Sequence, residues 1–321
     1  MDIEFHYYIT YILARKTNFN PDDAYTLAYS SQYVDDNTFH YYVNFEDGST
    51  PYVSEISQTM DITKPSSKRQ KIYPLFHFIP GDPQSPGARR KDGRVHLFNT
   101  TPDNENARYF MTRALESNNL YRIGIATHGY ADTWAHQNFV GLKDDFNAMS
   151  GLVEAIVPNI GHADARHEPD RVDNRWKDER LVKELEIIDN NERFIKATEC
   201  IFNIFWTCRN ETDEGMAKNW EELKPRLSDA MDESYLLGGD DRARKRAYRR
   251  ICPEIPDYEK NAWRHQAIDR KELEIDIFDR YWAKEDFYTS PWYLFLQAVK
   301  KHREVALARL RPLYEEAGLP V

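Results

Sequence analysis

The sequence predicts an all-α protein with one small β excursion. Three observations carry this. Apolar residues recur at helical spacing through most of the 321-residue chain. Helix starts are marked by Asn20-Pro21, Thr101-Pro102 and Ser290-Pro291, each a capping side chain followed by a proline. Alternation of the β type is confined to one stretch, around residues 39–60.

The elements follow in order. Residues 3–18 read as a helix with Ile3, Tyr7, Thr10, Tyr11 and Ala14 on one side. Asn20 caps the next helix, which runs to about Val34. Residues 38–100 form a long excursion. It holds Phe39-His40-Tyr41-Tyr42-Val43-Asn44-Phe45, a turn at Asp47-Gly48, and Tyr52-Val53, hence a hairpin around residues 39–60. Thr101 is expected to cap a helix with Ala107, Phe110, Met111, Ala114 and Leu115 inside, ended by Ser117-Asn118-Asn119. A helix to about Asn138 follows, then a shorter one over residues 143–156 and a polar loop from Pro158 to Asp173. From Trp176, the positions Leu181, Leu185, Ile188, Phe194, Ala197, Ile201, Phe205 and Cys208 suggest further helix, kinked at Asp189-Asn190-Asn191. Helices are expected near 216–236, 240–250 and 257–282, and a last one from Ser290-Pro291 through Leu310. We expect a single domain, 1–321, with chemistry-bearing residues in about 1–170 and a helical half in about 171–321.

Composition narrows the function. Aromatics make up 13% of the chain, so the core should be aromatic-rich. A net charge of −10 argues against broad binding to nucleic acid or anionic membrane. The basic run Arg242–Arg250 reads as a solvated helix face. Cys200, Cys208 and Cys252 form no metal-type pair, and the first two read as core residues. No signal peptide and no membrane-spanning apolar run is visible, so a cytoplasmic protein is expected.

The sequence centres on Thr127-His128-Gly129-Tyr130-Ala131-Asp132-Thr133-Trp134-Ala135-His136. His128, Asp132 and His136 are spaced i, i+4, i+8, which stacks them on one helix face with a drift of roughly 40° per step. Imidazoles and a carboxylate suit zinc or a similar divalent ion, although a buried hydrogen-bonded network would use the same residues. Gly124, Ala131 and Ala135 leave room for other elements to approach. His77 lies between Phe76 and Phe78 and, if buried, needs a partner. Asp35 and Asp36 end the second helix, where two acids oppose its dipole. Asp2 and His6 share a helix face, and His162 and Asp164 form a His-x-Asp loop.

This order of residues resembles the zinc-dependent phospholipase C and single-strand-specific zinc nuclease superfamily. Phe76-His77-Phe78-Ile79, Tyr33-Val34-Asp35 and Asn159-Ile160-Gly161-His162-Ala163-Asp164 are similar to its Leu-His-Phe-Ile, Trp-Ala-Asp and Asn-Leu-x-His segments, all within residues 1–165. The N-terminal pattern also looks like an uncharacterised bacterial family. The superfamily resemblance implies an all-helical bundle holding two or three Zn2+ ions, or another divalent metal. By that analogy one ion takes Asp35, His77, His128 and Asp132. A second takes His136, His162 and an acid, and a third takes His6 and shares Asp132. The family places an N-terminal amine at the third ion, and here the Asp2 carboxylate is expected to replace it. The family's acid four residues after the late histidine falls on Arg166, which leaves Asp164 as the candidate. The implied activity is a metal-dependent phosphoesterase in which Asp132 and Asp35 are the catalytic carboxylates and water is activated by metal. The implied partner is a small phosphate-ester substrate, a nucleotide or a head group. A non-catalytic helical metal-binding or interaction protein is the alternative. An HD-type phosphohydrolase fits less well, because the chain has no adjacent His-Asp pair.

Overall fold

In the computed structural model, which describes residues 1–59, 71–149, 161–210, 212–233, 241–271 and 280–320, the central element is a single buried helix. This helix, α5 (Leu120–Ala135), is buried without interruption from Ile123 to Ala135. Asn119 caps it by accepting from the Arg122 N–H at 3.0 Å. Around it pack α2 (Pro21–Asp36), α3 (Ile72–Phe76), α4 (Glu105–Leu115), α6 (Asn190–Arg209) and α10 (Pro291–Glu316). Helix α1 (Thr10–Lys16) continues a π-helical first segment, Glu4–Ile9, whose wide turns are fully buried.

Two glycines let the neighbours of α5 come close. A Cβ on Gly124 would lie 2.4 Å from the Leu27 carbonyl oxygen and 2.5 Å from the Ser30 Cβ, both on α2. A Cβ on Gly129 would lie 2.9 Å from the Phe76 carbonyl oxygen at the end of α3. These contacts bring α2 and α3 against α5 at closer than ordinary side-chain spacing.

The described residues are mostly helical, as expected, and several expected boundaries hold. Asn20 caps α2 by accepting from the Asp23 N–H at 2.8 Å, and Ser290 caps α10 by accepting from the Tyr293 N–H at 3.2 Å. The cap of α4 is Asn104, not Thr101, because Asp103 adopts a left-handed φ of 52° and the chain turns helical only after it. Of the helix expected over 143–156, residues Asp145–Asn147 form one 3-10 turn. Its end lies outside the described residues, as do Asn159-Ile160 and the last residue of the 39–60 hairpin.

The larger differences are β structure. Residues 176–189 are a hairpin of β3 (Arg175–Lys177) and β4 (Ile187–Asp189), with Trp176 opposite Ile188. Asp189 kinks nothing; it is the cap of α6 and accepts from the Glu192 N–H at 3.1 Å. The expected early hairpin, β1 (Tyr42–Asn44) and β2 (Tyr52–Val53), is half of a four-stranded sheet ordered β2-β1-β6-β5. The other half, β5 (Ile268–Lys271) and β6 (Arg280–Ala283), comes from the stretch expected to be helical over 257–282; among its described residues only Ala262–Ala267 (α9) are helical. The remaining described helices are α7 (Met216–Met231) and α8 (Asp241–Ile251).

One hydrophobic cluster draws residues from Met1 to Tyr314, so both halves of the chain build it. Phe78, Phe139, Ala165, Trp176, Leu181 and Ile188 form a second cluster beneath the β3–β4 hairpin. Helix α8 does not present a wholly solvated basic face. Arg244 is buried and donates to both Glu4 oxygens at 2.8–3.0 Å and to Asp173 at 2.9 Å. Cys208 is exposed and Cys200 half-buried, while Cys252 is the buried thiol. No helix among the described residues is long and apolar enough to cross a membrane.

Candidate metal centre

Five segments deliver side chains to one point. Helix α5 presents His128 and Asp132 from successive turns, and His136 caps its C-terminus with its N–H still donating to the Asp132 carbonyl at 2.8 Å. The Gly124 contact sets the last turn of α2, with Asp35, beside them. The Gly129 contact sets His77, the residue that caps α3. The π-helical segment brings His6, whose ring stacks on His128 at a centroid distance of 3.8 Å. The loop from Gly161 brings His162 and Asp170.

The first group has the spacing of a coordination shell. His77 Nδ1 lies 3.0 Å from His128 Nε2, 3.3 Å from Asp132 Oδ2 and 3.6 Å from Asp35 Oδ1. His128 Nε2 lies 3.2 Å from Asp132 Oδ2 and 3.7 Å from Asp35 Oδ1. Donors held at about 2.0–2.1 Å from a tetrahedral ion are themselves about 3.4 Å apart. These four atoms therefore fit around a single ion. His136, His162 and Asp170 form a second group, with both His Nε2 atoms 3.3–3.5 Å from the Asp170 carboxylate. His6 faces the other oxygen of Asp132 at 3.2 Å and lies 4.0 Å from Asp35, completing a third group with Asp35 and His128. Asp132 thus divides its two oxygens between opposite sides of the cluster.

The hydrogen bonds around the rings point the same way. His77 Nε2 lies 3.0 Å from the Ser57 carbonyl, His136 Nδ1 2.9 Å from the His77 carbonyl, and His162 Nδ1 2.9 Å from the Arg166 carbonyl. A carbonyl only accepts, so each ring donates an N–H there, and a neutral ring turns its other nitrogen inward as a lone pair. Inside, those lone pairs face carboxylates, acceptor against acceptor. Only a proton or a cation makes that arrangement favourable. Both His6 nitrogens, His128 Nδ1 and Asp170 Oδ1 are buried without a hydrogen-bond partner among the described residues. The cluster can therefore hold a metal ion.

The electrostatics match buried, mutually dependent charges. Burial alone would raise Asp132 and Asp170, but the surrounding imidazoles and the Met1 amino group hold both well below the usual carboxylate range. Burial pushes His136 down to about 4, against the pull of Asp132, and drives His6 well below its ordinary value. His77 is the exception: burial lowers it, but its bond to Asp132 and the charge of Asp35 outweigh that and raise it. Burial raises Asp35.

Of the expected site residues, the structure brings together His6, Asp35, His77, His128, Asp132, His136 and His162. Three others go elsewhere. Asp36 accepts from the Tyr258 hydroxyl at 2.7 Å and pairs with Lys260 at 2.8 Å, since adjacent helix residues point about 100° apart. Asp164 faces the Met149 N–H at 3.4 Å. Asp2 does not take the place of an amine. Its carboxylate folds back on the Glu4 N–H at 3.0 Å, while the Met1 nitrogen itself lies 2.5 Å from Asp132 and 3.3 Å from Asp170.

Sequence reasoning missed Asp170, eight residues after His162 in an irregular loop where spacing carries no directional information. It also missed Arg193, a buried arginine on α6. Its guanidinium donates to the Trp134 carbonyl at 2.7 Å and the Pro169 carbonyl at 2.8 Å, tying the end of α5 to the residue before Asp170. The cluster opens into a cleft of about 540 Å³ lined by Asp35, Tyr73, His77, Asp132, Arg166 and Asp170, among others.

No curated protein and no solved structure matches the chain. The model of a family of unknown function, DUF6765, matches residues 1–310, and the chain belongs to that family.

Proposed function

We propose that this protein is a metal-dependent phosphoesterase of the phospholipase C and zinc nuclease type, acting on a small phosphate ester. The observation that carries the reading is the shared carboxylate. Asp132 faces His6 with one oxygen and His77 and His128 with the other, at 3.2–3.3 Å, at the base of an open cleft. Nitrogen and oxygen donors at this spacing suit zinc, roughly two to three ions per chain. Such ions supply Lewis acidity, lowering the pKa of water and neutralising charge that develops on a phosphoryl group. The chain's own residues do the rest. Asp132 would serve ions on both of its sides, and Asp35, a donor of the first group through Oδ1, keeps its second oxygen at the edge of the cleft to orient the attacking water. The Ser57, His77 and Arg166 carbonyls fix three imidazole rings so that no side-chain rearrangement is needed during the reaction.

The test is metal analysis of protein purified without chelator or histidine tag, together with hydrolysis of nitrophenyl phosphate mono- and diesters. Bound metal and hydrolysis, both lost in Asp132→Asn and His128→Ala, are expected. Protein that carries at most one ion and hydrolyses neither ester refutes the reading. One observation favours a second reading. A protonated His77 donating to Asp132 at 3.3 Å gives an imidazolium–carboxylate pair that needs no metal. In that case the protein is a non-catalytic helical binding protein, and its melting temperature is insensitive to chelation.

A further inference from the structure

We propose that Arg166 selects the substrate, by engaging a phosphomonoester dianion at the mouth of the cleft; this rests on the phosphoesterase reading. The loop from Gly161 to Asp170 begins and ends at the second group of donors, and Arg166 stands between them. Its backbone has a left-handed φ of 54°, a conformation uncommon for a residue with a side chain. Its carbonyl accepts from His162 Nδ1 at 2.9 Å, which ties the residue to the cluster. Its side chain is exposed and lines the cleft with Asp35, Asp132 and Asp170.

Three arginines of the segments that follow are engaged. Arg171 reaches Asp173 at 3.4 Å, Arg180 pairs with Asp178 at 2.6 Å, and Arg193 holds two backbone carbonyls. Among the described residues the Arg166 guanidinium has no carboxylate or carbonyl partner. A planar fork of donors left open beside an anion-activating centre matches two oxygens of a phosphoryl group. Two divalent ions held by these residues would outweigh the three carboxylates of the cleft, so an anion entering it would meet net positive charge, to which Arg166 adds. A phosphomonoester has three non-bridging oxygens. It can give two to the guanidinium fork and still turn one to the metal side. A diester has only two and cannot serve both fully. The exposed His167, next in the chain, lines the same cleft.

The experiment titrates zinc-loaded full-length protein with inorganic phosphate by calorimetry, with metal content measured on every sample. Arg166→Gln should weaken phosphate binding by about tenfold or more at unchanged metal content, and Arg166→Lys should recover part of the loss. The preference for nitrophenyl phosphate over its diester, as a ratio of kcat/KM, should fall by a similar factor. Metal-loaded protein that binds no phosphate, or binds it equally well in Arg166→Gln, overturns the inference while leaving the phosphoesterase reading in place. Wild-type protein that takes up no metal sinks the underlying reading instead.

Discussion

Gly124→Ala tests whether the fold and the site are mechanically one object. The added Cβ would sit 2.4 Å from the Leu27 carbonyl oxygen, 2.5 Å from the Ser30 Cβ and 3.2 Å from the Ser31 nitrogen. Two of these are backbone atoms of α2, which no rotamer change moves away. Ordinary van der Waals contact needs about 3.4 Å, so α2 and α5 must separate by about 1 Å at this level. Overpacking of this kind costs about 1–3 kcal/mol, and the better helix propensity of alanine returns up to about 1 kcal/mol. A net loss of about 1–2 kcal/mol in metal-free protein follows. The site should suffer more than the fold. Asp35 stands at the end of α2, 3.7 Å from His128 and 3.6 Å from His77. Moved by about 1 Å, its oxygen would lie about 4.6 Å from both rings, beyond the span of roughly 4.2 Å that one zinc ion can bridge. Thermal melts with and without zinc, and zinc affinity by competition with an indicator, read the two effects separately. Zinc affinity should fall by at least about tenfold. An alanine variant as stable as wild type, with unchanged affinity, refutes the claim that this glycine sets Asp35 against α5.

Other perturbations give equally definite outcomes. Chelation should lower the melting temperature by several degrees, since ligand present at about a hundred times its Kd contributes about 2.7 kcal/mol; coincident melts with and without chelator would contradict a bound ion. Arg193→Met removes donors to the Trp134 and Pro169 carbonyls and should destabilise the protein by about 2–4 kcal/mol, read by denaturant melts; a neutral result would mean that water replaces the guanidinium there. His302, buried against the Leu75 carbonyl at 3.0 Å, has its pKa pushed down by burial to about 4. A depressed folded-state value means that the unfolded chain takes the proton first. The stability from this residue is therefore complete above pH 6.5 and lost as pH falls from 6.5 to 4, by up to about 3 kcal/mol. Stability measured across that window should slope less in His302→Gln, and an identical slope would dismiss the contribution.

What was legible in the sequence was local. Asn20-Pro21 and Ser290-Pro291 announce helix starts because the side-chain oxygen and the restricted proline act within one turn. His128 and Asp132 fall on one face because helix geometry alone places residues four apart together. The hairpin over 176–189 defeated the same logic. Trp176, Leu181, Leu185 and Ile188 have spacings compatible with a helix, yet Trp176 lies opposite Ile188 across two strands, and a turn carrying the buried Asp178–Arg180 pair joins them. Strands β5 and β6 pair with each other, but their place in the sheet is decided even less locally, because β6 joins them to it by parallel pairing with β1, more than two hundred residues earlier.

The sequence by itself determined that the chain is mostly helical, and which histidines and acids could share a helix face. The tertiary structure decided which acids face the cluster. Asp35 and Asp36 are neighbours in a helix and point about 100° apart, and the packing of α2 on α5 decides that the first faces His128 while the second meets Tyr258 and Lys260. Asp164 was the nearer acid to His162 in sequence. Asp170 is the one that meets it in space, at 3.3 Å, because the loop turns back across the end of α5 where Arg193 holds its backbone. Helix spacing fixes direction over a few residues. Which side chains converge across a loop depends on packing that no short-range rule encodes.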